Sequence, residues 1–321
     1  MSWRALAALL TTITLLRPSP AQQAIKVPRI GFVAPQGRSL PLFDAFKEGL
    51  AERGYVDGKN IAIEARFAEG NYDRFPAIFA ELLSAKVDAL AVTGAVTARA
   101  AEKATSETPI VFSIVLDPVS DRVVANMDHP GGNATGVSCF DPRQATKQLE
   151  LLREVFPKLK RVAVLGDQGV SDALIKASEE QARALGLEPQ PLRVAGPDPD
   201  LSAVFRAIRE QHADALLVLE EPVLGVHAKD IADLAAKDRL PTLFPPSRVG
   251  AGGLISYGTS QTEAIRHMAT YLDRILKGAK PGELAVEKVI RYELIVNQKT
   301  AKEIGVAIPQ EVVRRADRVI Q

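Results

Sequence analysis

Short apolar runs alternate with amphipathic stretches along this chain from Arg29 onward. Arg29 to Ala34 (RIGFVA) reads as a strand, and Leu42 to Arg53 carries apolar residues at 42, 43, 46 and 50, the spacing of one helix face. Gly54 follows as a helix-ending glycine. Ile61 to Phe67 alternates as a second strand, and Asp73 to Ala85 is expected to be a helix, with Asp73 as its cap and Pro76 in its first turn. Val87 to Val92 predicts a third strand, Thr97 to Thr105 a helix and Ile110 to Leu116 a fourth strand. Then comes DHPGGNATGVS, Asp128 to Ser138. Its proline and paired glycines make a tight turn, and its apolar end, Ala134 to Cys139, suits a buried fifth strand. This strand is expected to end one lobe and lead into another.

The same alternation then restarts. Helices are expected at Pro142 to Phe156, Ser171 (a cap) to Leu185, Asp198 to Gln211, Leu224 to Asp238, Ser260 to Lys277 and Lys299 to Ile304. Strands are expected at Arg161 to Leu165, Pro191 to Ala195, Ala213 to Leu219, Pro241 to Phe244, Leu254 to Tyr257, and along the extended run Glu287 to Val296. Strands separated by helices imply βαβ units, and therefore an α/β protein with parallel sheets. Such sheets are buried on both faces, which accounts for the continuous apolar strands. Ligands of open α/β sheets bind beyond the carboxyl ends of the strands, so the residues just after each strand are the candidates for function.

Composition narrows the classes. A chain of 321 residues with 46% hydrophobic and 25% charged residues is an ordinary globular one, long enough for two domains. The formal charge of +1 and the lack of a Lys/Arg block give no footprint for nucleic acid. Cys139 is the single cysteine, so no internal disulfide forms, and histidines 129, 212, 227 and 267 lack metal-ligand spacing. No metal and no cofactor are expected. At the N-terminus, Arg4 precedes an apolar run from Ala5 to Leu16, then small residues and prolines up to Ala21. That pattern predicts a secretory signal over residues 1–24, cleaved near Ala21 or Ala24, and hence a periplasmic protein.

Several segments, taken in order, resemble a known family: RIGFV with GLAERGYVDGKNIAIEARFAEG, DALAVTGAVTARAAEKAT with PIVFSIVLDPV, HPGGNATGVS, LISYG, and VNQKTAKEIGVAIP. Together they are similar to the ABC-transporter substrate-binding proteins of the tryptophan/tyrosine-binding type, from about Arg29 to the C-terminus. The resemblance implies the type I periplasmic-binding-protein fold: two Rossmann-like lobes with parallel sheets, a three-segment hinge and a ligand cleft between the lobes. It places the crossings near Ser138–Phe140, Gly253–Ser260 and Val289–Val296. The lobes would then be 28–138 with 259–288, and 139–258 with 289–321, the helix Ser260 to Lys277 returning to the first.

Strand ends and the resemblance together nominate the ligand contacts. Thr93-Gly94-Ala95-Val96-Thr97 opens a helix, where free N–H groups and a partial positive charge suit a carboxylate; Thr93 and Thr97 could equally serve only as caps. Asp117, which the resemblance puts at the cleft, could receive a ligand ammonium or simply start a turn before Pro118. Glu220 and Glu221 end the matching strand of the second lobe, with Glu220 or its neighbour facing the ligand. Gln36 and Asp167 lie in the first loop of each lobe, and Phe244 and Tyr257 are the expected aromatic walls. Cys139 reads as a buried strand residue.

The expected function is that of an exported receptor of an ABC importer, not an enzyme. It would bind an amino acid or related carboxylate, aromatic ones included, as a monomer that a permease and ATPase then serve. A periplasmic sensory protein is the alternative. An enzyme on the same scaffold ranks below both, because no nucleophile elbow, P-loop or dinucleotide fingerprint follows the first strand.

Overall fold

The computed structural model describes residues 27–37, 41–139, 141, 143–168 and 173–321. The expected signal segment, Phe140, Pro142 and the Ser171 cap lie outside them. In chain order the elements are β1 (Arg29–Ala34), α1 (Leu42–Ala51), β2 (Ala62–Phe67), α2 (Phe75–Ser84), β3 (Ala89–Thr93), α3 (Ala95–Ala104), β4 (Ile110–Val115) and β5 (Ala134–Ser138). There follow α4 (Gln144–Val155), β6 (Arg161–Asp167), α5 (Ala173–Ala184), β7 (Glu188–Val194), α6 (Leu201–Glu210), β8 (Ala215–Val218), α7 (Pro222–Val226), α8 (Ala228–Lys237) and β9 (Thr242–Phe244). The chain closes with β10 (Ile255–Thr259), α9 (Gln261–Leu276), β11 (Glu287–Lys288), β12 (Tyr292–Asn297), α10 (Gln298–Ile304), α11 (Gln310–Arg315) and β13 (Arg318–Ile320).

Two sheets form. The first runs β11-β5-β4-β3-β1-β2 and is parallel throughout. Alternation along its strands sends Ile30, Phe32 and Ala34 to the side covered by α1 and α9, and Val33 to the side covered by α2 and α3. The second runs β13-β12-β10-β9-β8-β6-β7 around its own core. It departs from the expected parallel pattern at one join, where β10 and β12 pair antiparallel. The run Glu287 to Val296 is two strands, since β11 pairs with β5 of the first sheet and β12 with β10 of the second. The chain passes between the sheets three times: after β5, between β10 and α9, and between β11 and β12.

Three local expectations change. The turn before α2 is capped by Asn71, whose side chain accepts the Asp73 N–H, so Asp73 is inside the turn and not its cap. The helix expected over 224–238 is broken at His227, which leaves helical dihedrals and holds the Pro197 carbonyl with its ring at 2.7 Å. The C-terminal α11 and β13 are too short to show a period; β13 forms because β12 offers it an edge. Cys139 is buried as expected, and burial pushes its thiol up to about 12, so it stays protonated. Among the described residues no helix is long and apolar enough to cross a membrane.

Candidate functional site

A cavity of about 160 Å³ lies between the lobes, at the carboxyl ends of the strands. The first lobe lines it with Pro35 and Gln36 after β1, Gly94 to Val96 at the start of α3, Ile114, Leu116, Asp117, Ser120 and Asp121 around the end of β4, and Gln261 at the start of α9. The second lobe adds Leu174 from α5, and Glu220 and Pro222 after β8. The lining is mostly aliphatic, and among the described residues it contains no aromatic ring.

The start of α3 supplies donors. Gly94 sits at φ +81 and donates its N–H to the Ser113 carbonyl at 2.8 Å, which anchors the helix to β4. No side chain caps α3, and the N–H groups of its first turn have no acceptor within the helix. Thr93 and Thr97 therefore do not serve as caps. Both are buried, with hydroxyls that find no partner among the described residues, and neither lines the cavity.

Acceptors face the same space. Gln36 and Gln261 are 5% and 3% exposed, and the Oε1 of each has no partner among the described residues. Asp117 closes its own turn, accepting the Ser120 N–H at 3.0 Å and the Ser120 hydroxyl at 2.8 Å. Burial raises its pKa, but the Ser120 hydrogen bonds outweigh burial and leave the carboxyl below its ordinary value. Asp121, held 3.7 Å from Arg99, is pushed up by burial.

Glu220 and Glu221 separate. Glu220 lines the cavity, accepts the Ser247 hydroxyl at 2.8 Å and lies 3.2 Å from the Arg248 guanidinium, whose side chain is 2% exposed. Burial pushes Glu220 up, and Arg248 pulls it back. Glu221 turns away and accepts the backbone N–H of Asp167. Asp167, at 1% exposure, accepts the Val223 N–H at 3.4 Å and the hydroxyl of Tyr72. Tyr72 belongs to the first lobe and packs against the cores of both lobes. Asp167 thus joins the lobes beside the cavity and does not line it.

The expected aromatic walls stand elsewhere. Phe244 is fully buried in the second core, because β9 is an interior strand. Tyr257 stacks on Tyr292 with ring centroids 5.3 Å apart, with the Lys147 ammonium 4.3 Å from the Tyr292 ring. The Tyr292 hydroxyl donates to Asp141, and the Gln148 amide donates to the Tyr257 carbonyl at 2.8 Å. These contacts tie together the chain crossings and keep both rings away from the cavity lining.

A model of the ABC transporter substrate binding protein family matches residues 32–320. The chain belongs to that family. This substrate-binding protein is 24% identical over 271 residues to a tyrosine-binding protein of Clostridioides difficile (strain R20291), a match covering 82% of this chain and 77% of the relative. Among solved structures, a conserved domain protein from Vibrio cholerae superposes with a TM-score of 0.83 at 26% identity, covering 92% of this chain and 100% of that one. The ABC domain in complex with L-Trp from Streptococcus pneumonia superposes at 0.81 and 24% identity, covering 91% and 99%. A ligand-free, open substrate-binding protein with adhesive properties from Clostridium difficile reaches 0.65 at 24% identity, covering 92% and 100%.

The contact between the lobes has a titratable group beside it. Burial pushes Glu221 up to about 8; the Asp167 N–H opposes this and the Asp167 carboxylate adds to it. The folded chain then keeps a proton that the unfolded chain releases near the ordinary value of 4.5. The stabilisation from that proton is complete below about 4.5 and is lost as pH rises through about 8. Glu221→Gln is expected to flatten this dependence. Full linkage amounts to about 1.4 kcal/mol per pKa unit, but the neutral amide accepts the Asp167 N–H more weakly. A net gain of about 2 kcal/mol over wild type at pH 9, absent at pH 5, is the expected outcome of urea titrations.

Proposed function

We propose that this chain is the exported solute receptor of an ABC importer and that it binds an amino acid with an apolar side chain. The observation carrying this reading is that one cavity combines N–H donors of a helix start with the oxygens of Asp117, Asp121, Glu220 and Gln261 and an aliphatic lining. A zwitterion matches both kinds of group: its carboxylate suits the start of α3 and its ammonium the acids. The relatives, one named for tyrosine and one in complex with L-Trp, support an amino acid. The ligand contacts we propose are Gln36, Gly94, Ala95, Asp117 and Glu220, with Gln261 added.

The mechanism is closure of two lobes, 28–138 with 259–288 and 139–258 with 289–321. The open form admits the ligand, and the closed form adds contacts from the second lobe. Tyr72 reaching Asp167 belongs to the closed form, so this hydrogen bond and the ligand bias the same equilibrium. The permease and its ATPase then take the closed, monomeric receptor in the periplasm. Residues 1–24 act as the signal for export. The protein turns over no substrate.

A thermal-shift screen of the purified protein against the amino acids, their deaminated carboxylates and sugars tests this. At a ligand concentration 100 times Kd an amino acid is expected to add about 2.7 kcal/mol of stability and to raise Tm accordingly. Asp117→Asn, which retains the turn, is expected to weaken binding at least roughly tenfold, since a hydrogen bond to a charged group is worth about 1.5–3 kcal/mol. A shift with sugars and none with amino acids would overturn the reading.

A further inference from the structure

β4 breaks its own alternation just before the cavity. Ile110 and Phe112 face the core under α2 and α3, and Val111 faces the one under α1 and α9. Strict alternation would put Ile114 with Phe112 and Val115 with Val111. Instead, Ile114 joins the α1/α9 side and lines the cavity, and Val115 joins the α2/α3 side. The switch is a β-bulge: Phe112 pairs with Gly136 and Val115 with Ser138, so two residues of β4 oppose one of β5.

The bulge is made with an unusual residue. Ile114 stands at φ +58, a left-handed conformation that crowds a β-branched side chain and that glycine adopts freely. On its other edge β4 keeps the regular register with β3, and the Ser113 carbonyl accepts the Gly94 N–H at the start of α3. A glycine at 114 would keep the turn and that hydrogen bond without the crowding. What isoleucine adds is a branched aliphatic group at the cavity wall, and strain of this kind collects at ligand-contacting positions.

We propose that Ile114 is a specificity-determining residue. With Val96, Leu116 and Leu174 it forms the aliphatic wall that limits the size of the ligand's side chain. This rests on the amino-acid reading above and adds which residue sets the upper limit. The wall selects by volume, since among the described residues it has no ring to stack on and the bulge fixes how far Ile114 projects. Shortening residue 114 therefore favours bulky side chains over compact ones.

The test compares Kd values for L-leucine and L-tryptophan, by titration calorimetry, in wild type, Ile114→Ala, Ile114→Gly and Val111→Ala. Val111 is buried on the same face of the same strand and does not line the cavity. The ratio of the two Kd values is expected to move toward tryptophan by roughly tenfold or more in both Ile114 variants, the scale of a few methylenes in an apolar pocket. Val111→Ala is expected to lower Tm and leave the ratio at its wild-type value. The left-handed backbone has its own signature: Ile114→Gly is expected to melt above Ile114→Ala, the reverse of the usual order of these residues in strands. If alanine prevents folding, the glycine variant carries the ratio measurement. An unchanged ratio in a folded Ile114 variant overturns the proposal and leaves the receptor reading standing. Wild type that binds no amino acid overturns the receptor reading first, and the proposal with it.

Discussion

Gly136→Ala is expected to destabilise the first lobe by about 4 kcal/mol, lowering its Tm by roughly 10 °C in calorimetry. Gly136 lies in β5 directly opposite the bulge in β4. A Cβ there would stand 2.0 Å from the Phe112 carbonyl oxygen and 2.8 Å from its carbonyl carbon. Both strands are interior, so no flexible side chain can move aside and the backbone itself must shift. Its φ of +156 adds to the cost, since that region is almost confined to glycine. The damage reaches the site, because the same bulge holds Ile114 at the cavity. Ligand affinity and stability are expected to fall together in this variant. In Ile114→Gly, by contrast, selectivity changes with a smaller loss of Tm. A Gly136→Ala protein that melts with wild type would show that β4 and β5 are not opposed this closely.

Arg248→Met is expected to cost about 3–5 kcal/mol near neutral pH, because removing one partner of a buried ion pair leaves the other uncompensated. The arginine side chain is 2% exposed and that of Glu220 13%, and α7 makes room for the guanidinium at Gly225, where a Cβ would stand 2.2 Å from Nη2. Burial already lowers the Arg248 pKa and raises that of Glu220; without the arginine, the attraction that offsets burial at Glu220 is lost. A shift of Glu220 toward its neutral form weakens its attraction for a ligand ammonium, so affinity is expected to fall with stability. The double variant Arg248→Met with Glu220→Gln is expected to recover most of the stability, since it removes the unpaired charge. Urea midpoints for the two single variants and the double variant measure this coupling. A fully additive double variant would show that Glu220 and Arg248 do not act as a pair.

The α/β class, the order of most elements and the general location of the cavity are legible in the sequence. Buried parallel strands must be apolar along their whole length, and helices must be apolar on one face, so both patterns are written locally in residues such as Arg29 to Ala34 and Leu42 to Ala51. The rule that ligands lie beyond strand ends follows from the same class, and Gln36, Gly94, Ala95, Asp117 and Glu220 do line one cavity. The tertiary structure alone decided which strand-end residues turn into it. Asp167 bonds Tyr72 from the other lobe, Glu221 turns toward Asp167, and Phe244 is enclosed by its neighbouring strands. Leu174 and Gln261 reach the cavity from helices far away in sequence, and Ile114 does so through a bulge that changes the parity of its strand. These outcomes depend on contacts between segments 50 to 150 residues apart, or on one extra residue in a ladder. No periodicity in a short window encodes either, because a side chain's direction at a strand end is set by what packs against it and not by its own neighbours in the chain.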